Sequence, residues 1–372
     1  MKFNRYTLSD LATIKYGKNQ KKVLSDSGTV PIFGTGGLMG FATTSLYDKP
    51  SVLIGRKGTI GKVKYVEQPF WTVDTLFYTI INTDLVIPKY LFYVMSLIDL
   101  NNYNEGTTIP SLRTETLNRL EFDIPDLEEQ RKILSCLNPI DKKIELNNAI
   151  NNNLEQQMQV LFNEFLSSNE FDNLTTVEKV VLTANTGADA IQKAPIVDYD
   201  TGIRCIRVGD MTNSRSFYEW GFTKVTDEVL RRYQLHKDDI VVTRTASLGL
   251  NTIISEDLSA VYNNGLIRLT VNKSKMLPMY LYRQFQTKDF ANYIARIESE
   301  TSVRPNMKIN YLLKYELVLP SIAKQSELIE LLTPMLNKQN NLISENKKLE
   351  SLRDTLLPKL MSGELDVSDI DL

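Results

Sequence analysis

The sequence predicts an α+β protein in which two similar mixed α/β domains are separated by two long antiparallel coiled-coil helices. Three observations lead to this prediction. The chain has 372 residues, which is more than one ordinary hydrophobic core holds together. Two stretches match each other in a constant register, and a seven-residue apolar periodicity follows each of them. Together they indicate a tandem duplication with pseudo-twofold symmetry.

The longer repeat joins each globular part to a helix. The stretch "IPSLRTETLNRLEFDIPDLEEQRKI" begins at Ile109, and it aligns with "RPNMKINYLLKYELVLPSIAKQSEL", which begins at Arg304. Prolines, a glutamate and a glutamine keep their positions in both copies. The repeat therefore divides the chain into a first domain at 1–125, a first long helix at 126–168, a second domain at 169–320, a second long helix at 321–361 and an acidic tail at 362–372.

A shorter repeat lies inside the domains. "KPSVLIGRKGTIG", at 49–61, aligns with "KDDIVVTRTASLG", at 237–249. Both predict a buried strand that runs into a turn carrying an arginine, a hydroxyl and a glycine. These turn residues are Arg56, Thr59 and Gly61 in the first copy and Arg244, Ser247 and Gly249 in the second.

The turn is not a nucleotide-binding P-loop. A P-loop needs four residues between its first glycine and Gly-Lys, followed by Ser or Thr. Here five residues separate Gly55 from Gly61, and Val63 follows Lys62. The second copy also replaces Gly55 with Thr243 and Gly58 with Ala246.

Short apolar runs predict the remaining elements of each domain. Strands are expected at "VPIF", "SVLIG" and "LFYTII" in the first domain and at "IRCIRV", "DIVVTR" and "LIRLTV" in the second. Helices are expected at "PKYLFYVMSLI" and "PMYLYRQFQT", each of which begins with proline. Gly34, Gly36 and Gly37 of "FGTGGLMG" are expected in a turn, because no convincing helix follows them.

The two long helices should pair through an apolar seam. The seam residues are Ile133, Leu137, Ile140, Ile144, Asn151, Leu154, Leu161, Leu328, Leu332, Leu342, Asn346, Leu349, Leu356 and Leu360. Asn151 and Asn346 occupy equivalent seam positions, where they either fix the register as buried amides or remain solvated in an open seam. Asp126 and Glu129 predict a capping box at the first helix. Pro139 and Pro334 should kink the helices or start them afresh.

Composition excludes several classes of protein. No run of 18 apolar residues predicts a membrane helix, and the start lacks a signal peptide, so a cytoplasmic protein is expected. Cys136 and Cys205 have no metal-ligand spacing, and the single histidine, His236, leaves no basis for a histidine-rich catalytic or metal site. Residues 1–64 contain eleven Lys or Arg against three acidic residues, a basic region suited to a polyanion.

The duplicated domains, the "GRKGTIG" turn and "GTTIPSLRTETLNRLEFDIPDLEEQRKI" before a long helix resemble the specificity subunit of type I restriction-modification systems. The resemblance covers essentially the whole chain. It implies that each domain is a target recognition domain for one half of a bipartite double-stranded DNA sequence. It further implies that the helices set the spacing of the half-sites and dock two methyltransferase (modification) subunits, which restriction/motor subunits join.

The same resemblance implies a non-catalytic subunit of a DNA adenine methyltransferase/restriction endonuclease complex. S-adenosylmethionine, ATP and magnesium would then be bound by partner subunits, with no cofactor, metal or membrane partner for this chain. The residues agree, because the Asp/Asn-Pro-Pro-Tyr/Phe loop of an amino-methyltransferase is absent from the sequence. Two alternatives stay open: a coiled-coil scaffold with protein-binding ends, and a specificity subunit serving a fused methylase-nuclease.

DNA contacts are expected from two groups of residues, because phosphate contacts position a protein and base contacts specify sequence. Phosphate contacts are expected from the turn and from nearby cations. These residues are Lys18, Lys21, Lys22, Arg56, Lys57, Thr59, Lys62, Arg244, Thr245 and Ser247. Loops that differ between the copies should read bases through Thr107, Thr108, Ser111, Arg113, Arg207, Asn213, Arg215, Asn263 and Asn264. Because both copies keep Arg56 and Arg244, these two either brace the turn or contact phosphate.

Overall fold

The computed structural model describes residues 2–168, 173–187, 196–300 and 305–369. Arg304 of the longer repeat and the last three residues of the acidic tail lie outside these ranges. The chain forms two compact units: unit 1 comprises Met1–Asn148 and Ile343–Leu372, and unit 2 comprises Ala149–Leu342. The two long helices are thus shared between the units. In the described part of the chain, no helix is long and apolar enough to cross a membrane.

Unit 1 is built on three small sheets. Its strands are β1 (Phe3–Thr7), β2 (Ala12–Tyr16), β3 (Val30–Gly34), β4 (Gly37–Ala42), β5 (Ser51–Gly55), β6 (Val63–Val66), β7 (Trp71–Thr72), β8 (Leu76–Ile81) and β9 (Glu121–Pro125). One antiparallel sheet has the order β2-β8-β5-β6, the second has the order β4-β3-β7 with β3 and β7 parallel, and β1 pairs with β9.

β5 shows why the strands of unit 1 form where they do. All five of its residues are buried. Val52 and Ile54 pack into the main core, whereas Leu53 between them packs into a second cluster with Phe33 and Phe70. A strand with apolar partners on both faces has a continuous apolar sequence rather than an alternating one. The helices of this unit that cover the core are α1 (Leu8–Leu11), α2 (Pro88–Ser96) and α3 (Thr114–Asn118).

Unit 2 repeats this plan. Its strands are β10 (Leu174–Thr176), β11 (Val181–Thr186), β12 (Ile196–Val197), β13 (Arg204–Ile206), β14 (Gly221–Thr223), β15 (Ile240–Thr243), β16 (Asn251–Ile253), β17 (Ala260–Tyr262), β18 (Leu266–Val271) and β19 (Glu316–Val318). The sheet β11-β18-β15-β16 matches β2-β8-β5-β6, the sheet β12-β14-β13-β17 contains the parallel pair β13/β17, and β10 pairs with β19. Its short helices are α5 (Val177–Val180), α6 (Val208–Thr212), α7 (Asp227–Tyr233), α8 (Pro278–Gln284), α9 (Lys288–Glu300) and α10 (Ile309–Leu313).

The predicted fold class is confirmed. Two mixed α/β parts of the same topology alternate with the long helices α4 (Leu127–Ser168) and α11 (Ile322–Met361). In unit 1, Ile133 and Leu137 share one core with Leu357 and Leu360. In unit 2, the later part of α4 shares a core with the early part of α11. The segments therefore run antiparallel within each unit.

Burial along the helix seam is uneven. The structure buries Ile133, Leu137, Ile140, Ile144, Leu328, Leu332, Leu342, Asn346 and Leu360, and it half-buries Asn151, Leu154, Leu161, Leu349 and Leu356. α4 and α11 continue through Pro139 and Pro334, so neither proline starts a new helix. Both prolines are exposed, and on the solvent side water can satisfy the carbonyl that loses its amide partner. Asp126 caps α4, because its Oδ1 accepts from the N–H groups of Glu128 and Glu129 at 3.0 and 2.9 Å.

The seam amide of Asn346 is buried and hydrogen-bonded to two asparagines of α4. Asn147 Nδ2 donates to Asn346 Oδ1 at 2.8 Å, and Asn346 Nδ2 donates to Asn148 Oδ1 at 2.8 Å. The solvated alternative is therefore wrong for Asn346. Asn151 is half-buried, and its backbone carbonyl accepts from Gln339 Nε2 at 3.1 Å. Heptad spacing assigns residues to a face, but the stagger between two helices decides which of them meet.

A buried glutamine ties each long helix to its domain. Gln130 Nε2 donates to the carbonyls of Leu85 and Pro125, both at 2.9 Å, and its Oε1 accepts from the N–H of Ile87 at 2.8 Å. Gln325 makes the equivalent bonds in unit 2, to Lys275 O at 3.4 Å, Pro320 O at 2.8 Å and Leu277 N at 2.7 Å. The repeat therefore keeps this residue because two backbone groups before α2 or α8, and the proline carbonyl before the long helix, are bonded to it.

Candidate nucleic-acid interface

The repeated arginine of unit 1 holds two loops together. Arg56 follows β5, and its Nη1 donates to the backbone carbonyl of Asp74 at 2.8 Å. Its backbone N–H donates to Thr75 O at 2.8 Å. The guanidinium carbon lies 5.1 Å from the ring centroid of Tyr16, which adds a cation-π contact. The turn after β5 is thus fixed to the loop that precedes β8.

The equivalent arginine of unit 2 is held more completely. Arg244 Nη1 donates to Asn264 O at 3.0 Å and to Asn264 Oδ1 at 3.2 Å. Its Nη2 donates to Asn306 Oδ1 at 2.8 Å, and its Nε donates to Met307 O at 3.1 Å. All three guanidinium nitrogens therefore have protein acceptors. Asp74 and Asn264 precede β8 and β18 at the same distance, so both copies use one bracing bond. Of the two roles expected for Arg56 and Arg244, this geometry favours bracing.

Backbone bonds bring the turn against the loop that precedes α3 or α10. In unit 1, Gly58 N donates to Pro110 O at 2.9 Å and Leu112 N donates to Arg56 O at 3.0 Å, while Lys57 and Ser111 form a β-bridge. In unit 2, Met307 N donates to Arg244 O at 2.8 Å, and Thr245 forms the equivalent bridge with Asn306.

The structure thus places expected phosphate-contacting and base-reading residues of unit 1 side by side. Lys57 and Thr59 are exposed, and so are Thr107 and Thr108 of the neighbouring loop. Ser111 lies between them, half-buried. Arg113 is exposed, but its Nε is paired with Glu105 Oε2 at 3.1 Å. This loop pair carries one unpaired cation, Lys57, among the side chains that the structure describes, and it also exposes the apolar Ile109.

Both copies have a left-handed residue at the same position of the turn, whereas at the final glycine they differ, because Gly249 has φ +77° and Gly61 is not left-handed. Gly58 has φ +87° and Ala246 has φ +62°. An alanine in this left-handed region carries strain that glycine avoids. Ser247 is half-buried, and its carbonyl accepts from the hydroxyl of Thr243. Both copies therefore use a left-handed residue here, although only unit 1 has a glycine at this position.

Three lysines of the basic region stand free at one side of unit 1. Lys18, Lys21 and Lys22 are exposed and have no ion-pair partner among residues 2–168 or the other described residues. The backbone carbonyl of Lys18 accepts from Trp71 Nε1 at 2.8 Å, which places this lysine beside β7. Lys62 lies elsewhere, at a cavity of about 430 Å³ that residues of α2 and α11 also line. Lys62 is therefore separate from the three free lysines.

The unit 2 candidates Arg207 and Arg215 converge on one buried carboxylate. Asp210 is 1% exposed; its Oδ2 lies 3.5 Å from Arg207 Nε, and its Oδ1 accepts from Arg215 Nη1 at 3.2 Å. Trp220 Nε1 donates to the carbonyl of Arg215 at 3.1 Å. Asn213 Nδ2 donates to Gly209 O at 2.7 Å. These bonds order the segment between β13 and β14 and leave both arginines about two-fifths exposed, at 37% and 46%.

The two asparagines before β18 have structural bonds as well. Asn263 Oδ1 accepts from the N–H of Gly265 at 3.1 Å, and Asn264 accepts from Arg244 through two oxygens. Sequence reasoning missed the acceptors Asp74, Asn306 and Asp210. The repeat contained a signal for the first, because Asp74 and Asn264 stand at equivalent positions before an aligned strand.

The residues most often used in catalysis have ordinary structural settings. Cys205 is fully buried, and burial raises the pKa of its thiol to about 12. His236 is exposed, and its Nδ1 lies 3.2 Å from Asp257 Oδ1. Hydrogen bonds lower the pKa of the Asp257 carboxyl: the largest effect comes from the backbone N–H of Lys237 and the next from the His236 side chain. No group of three or more His, Cys, Asp or Glu side chains that could hold a metal occurs in the part of the chain that the structure describes.

Comparison with known proteins matches both halves of the chain. The family model for the type I restriction modification DNA specificity domain fits residues 2–156 and again residues 187–352. The specificity subunit of the type I restriction enzyme MjaIX from Methanocaldococcus jannaschii is 24% identical over 357 residues, which cover 87% of this chain and 80% of that protein. The HindI specificity subunit from Haemophilus influenzae is 24% identical over 375 residues, covering 76% and 79%.

A solved structure has the same fold. The S subunit of a type I restriction-modification system from M. genitalium aligns with a TM-score of 0.52, over 97% of this chain and 96% of that one, at 16% identity.

Proposed function

Because the chain belongs to the family of type I restriction-modification DNA specificity domains, and is thus a DNA-recognition subunit, we propose that its two globular parts each read one half of a bipartite DNA target. The target recognition domains are residues 1–125 and 169–320. The observation that supports this most is the repeated site: both units carry the same braced turn beside loops of different sequence.

In each domain, the braced turn supports the contacts with DNA. Arg56 and Arg244 hold the loops in place, because their guanidinium groups are bonded to protein carbonyls and amides. The exposed cations Lys18, Lys21, Lys22, Lys57 and Lys62 of the first domain attract and position the phosphate backbone. Sequence is then read by the loops that differ, around Thr107 and Ser111 in the first domain and around Arg207, Asn213, Arg215 and Asn263 in the second.

The helices at 126–168 and 321–361 serve as the spacer and as the docking surface for two modification subunits, which restriction/motor subunits join. The buried Asn147–Asn346 bond supports a fixed pairing of these helices, because the Asn346 amide makes both its bonds to α4, to Asn147 and Asn148, in this register. Adenine methylation, with S-adenosylmethionine, belongs to the modification subunits, and ATP and magnesium belong to the restriction/motor subunits. This chain supplies recognition.

The test exchanges residues 1–125 for the corresponding domain of another type I specificity subunit. The hybrid is produced with its modification subunits in cells, and methylated adenines are mapped across the genome. One half of the bipartite motif should change while the other half stays as in the parent chain. The matched exchange of residues 169–320 should change the opposite half. A motif in which both halves change, or neither, contradicts the assignment of one half-site to each domain.

A further inference from the structure

The hairpin formed by β3 and β4, together with Leu24 beside it, exposes four large apolar side chains. Leu38, Met39 and Phe41 of β4 are 56%, 54% and 43% exposed, and Leu24 beside them is 53% exposed. Isolated exposed apolar side chains are common on protein surfaces, but three in one hairpin strand and a fourth on the segment bridged to that strand at Ala42 indicate a contact surface. We call these four residues the apolar hairpin patch.

The patch is built into the hairpin rather than loosely attached to it. A Cβ at Gly34 would lie 2.4 Å from Met39 Sδ, and a Cβ at Gly40 would lie 2.9 Å from Leu24 Cδ1. Met39 therefore lies across one glycine and Leu24 across the other. The register also shifts between Ile32, which pairs with Gly40, and Phe33, which pairs with Leu38, so Met39 is the extra residue of a bulge in β4. Bulges redirect side chains and are typical of functional strand edges.

Positive charge borders this apolar surface. Lys21 and Lys22 lie in the turn immediately before Leu24, in which Leu24 N donates to Gln20 O at 2.9 Å. Lys18 lies beside β7, the strand that pairs with β3 on the side away from β4. These three lysines are the free ones described above, and Asp26 is the acidic residue closest to them in the chain. An apolar centre with an unpaired cationic border complements a polyanion that also presents apolar groups.

The hairpin occupies the place that the base-reading segment takes in unit 2. Val73 N donates to Phe33 O at 3.0 Å, and Asn263 N donates to Ile206 O at 3.1 Å, so β3 and β13 end at equivalent points. After this point unit 1 makes a tight turn into β4, whereas unit 2 inserts the segment 207–220. That segment carries Arg207, Asn213 and Arg215. One position in the fold therefore presents polar groups in unit 2 and apolar groups in unit 1.

We propose that the apolar hairpin patch reads thymine in the first half-site, by contact with the 5-methyl group in the major groove. This inference rests on the proposed function of residues 1–125. A two-stranded ribbon fits the major groove, and the thymine methyl is the apolar group that base edges present there. Lys18, Lys21 and Lys22 hold the phosphates on either side. Leu38 and Met39, the most exposed of the four residues, make the contact.

The experiment removes single methyl groups from the DNA. The complete modification complex binds duplexes that carry the mapped target, in which each thymine of the first half-site is replaced in turn by deoxyuridine. Deoxyuridine keeps every hydrogen-bonding group and lacks only the methyl. Loss of one buried methyl should weaken binding roughly fourfold, at one or more positions. The double variant Leu38→Ala, Met39→Ala should bind the thymine and deoxyuridine duplexes equally.

A matched control uses Leu182→Ala, because Leu182 on β11 of unit 2 is similarly exposed, at 64%. This variant should keep the sensitivity of the first half-site to deoxyuridine. Thermal unfolding of all three proteins verifies that truncation on the surface leaves the fold intact.

Three results overturn the inference. The first is an affinity that does not change when any thymine of the first half-site is replaced by deoxyuridine, or a first half-site that contains no thymine. The second is a deoxyuridine effect that persists in the double variant. The third is loss of the modification subunits from the double variant, since the patch would then be a protein contact. None of these results affects the domain exchange, whose failure would refute the proposed function itself.

Discussion

Replacing Arg244 with alanine should separate bracing from phosphate contact. The change removes four hydrogen bonds, from Nε, Nη1 and Nη2 to Met307, Asn264 and Asn306, at 2.8 to 3.2 Å. A hydrogen bond in a folded protein contributes about 1 kcal/mol net. Because the site is half-buried and water can replace some partners, we expect unit 2 to lose about 2–4 kcal/mol of unfolding free energy.

Tryptophan fluorescence can measure this loss in one unit. The chain has two tryptophans, Trp71 in unit 1 and the buried Trp220 in unit 2. In a Trp71→Phe background, Trp220 is the single reporter of urea unfolding, and Arg244→Ala should lower the midpoint. Arg244→Lys should recover little of the loss, because one ammonium cannot span three separated acceptors.

DNA binding to the same variants supplies the second half of the test. A residue that contacts one phosphate contributes about 0.9 to the slope of log K against log salt concentration. Arg244→Ala should leave this slope unchanged, whereas Lys57→Ala should reduce it by about one. The bracing interpretation is refuted if Arg244→Ala keeps the unfolding midpoint and lowers the salt slope, or if Arg244→Lys restores both stability and binding.

Two further predictions concern paired positions in the two units. Gln130→Ala should cost unit 1 about 3 kcal/mol, because it leaves three backbone groups without their partner, and Gln325→Ala should do the same in unit 2. Urea unfolding with one tryptophan per variant measures each loss, and an equal loss in both units from one change would contradict the prediction. Gly58→Ala should lower the unfolding free energy of unit 1 by about 1 kcal/mol, and Ala246→Gly should raise that of unit 2 by a similar amount, because both positions have left-handed backbone. If urea unfolding shows both variants shifting stability in the same direction, the strain is not local.

The duplicated framework could be predicted from sequence because it rests on local patterns. The run "SVLIG" has buried residues throughout and forms β5, and the prolines before "KYLFYV" and "MYLYRQ" begin α2 and α8. Each of these signals lies within a few residues of the element that it predicts. The second copy shows the same patterns at equivalent positions, and a pattern that arose by chance would not be repeated in register.

The contacts of the site could not be predicted in this way, because they join residues that are distant in the chain. Repetition identified Arg244 as important, but Asn264 and Asn306 become its acceptors only after two loops have folded against the turn. The exposure of Leu38 and Met39 is equally hidden, since "FGTGGLMG" correctly predicts a turn and says nothing of which side chains remain outside. The partner of Asn346 depended on helix stagger, which no heptad pattern contains.

The attachment of each domain to the long helices restricts which domains can be exchanged. In unit 1, the hydroxyl of Tyr93 donates to Asp141, which also lies 3.2 Å from Lys89 Nζ and 3.4 Å from Arg353 Nη1. Burial is the main cause that raises the pKa of the Tyr93 hydroxyl, and its hydrogen bond to Asp141 is the second. The hydroxyl therefore keeps its proton and stays a donor.

In unit 2, the residue equivalent to Tyr93 is Arg283, which is 1% exposed and pairs with Glu155 on α4. A second-position domain moved to the first position would therefore put a buried guanidinium in place of the Tyr93 hydroxyl and Met279 in place of Lys89, beside Asp141. The moved arginine would lose its partner Glu155, and breaking a buried ion pair costs several kcal/mol. Replacement domains for residues 1–125 should accordingly be taken from first-position domains with a neutral residue at position 93. With such a domain, a changed half-site reports recognition rather than a damaged attachment.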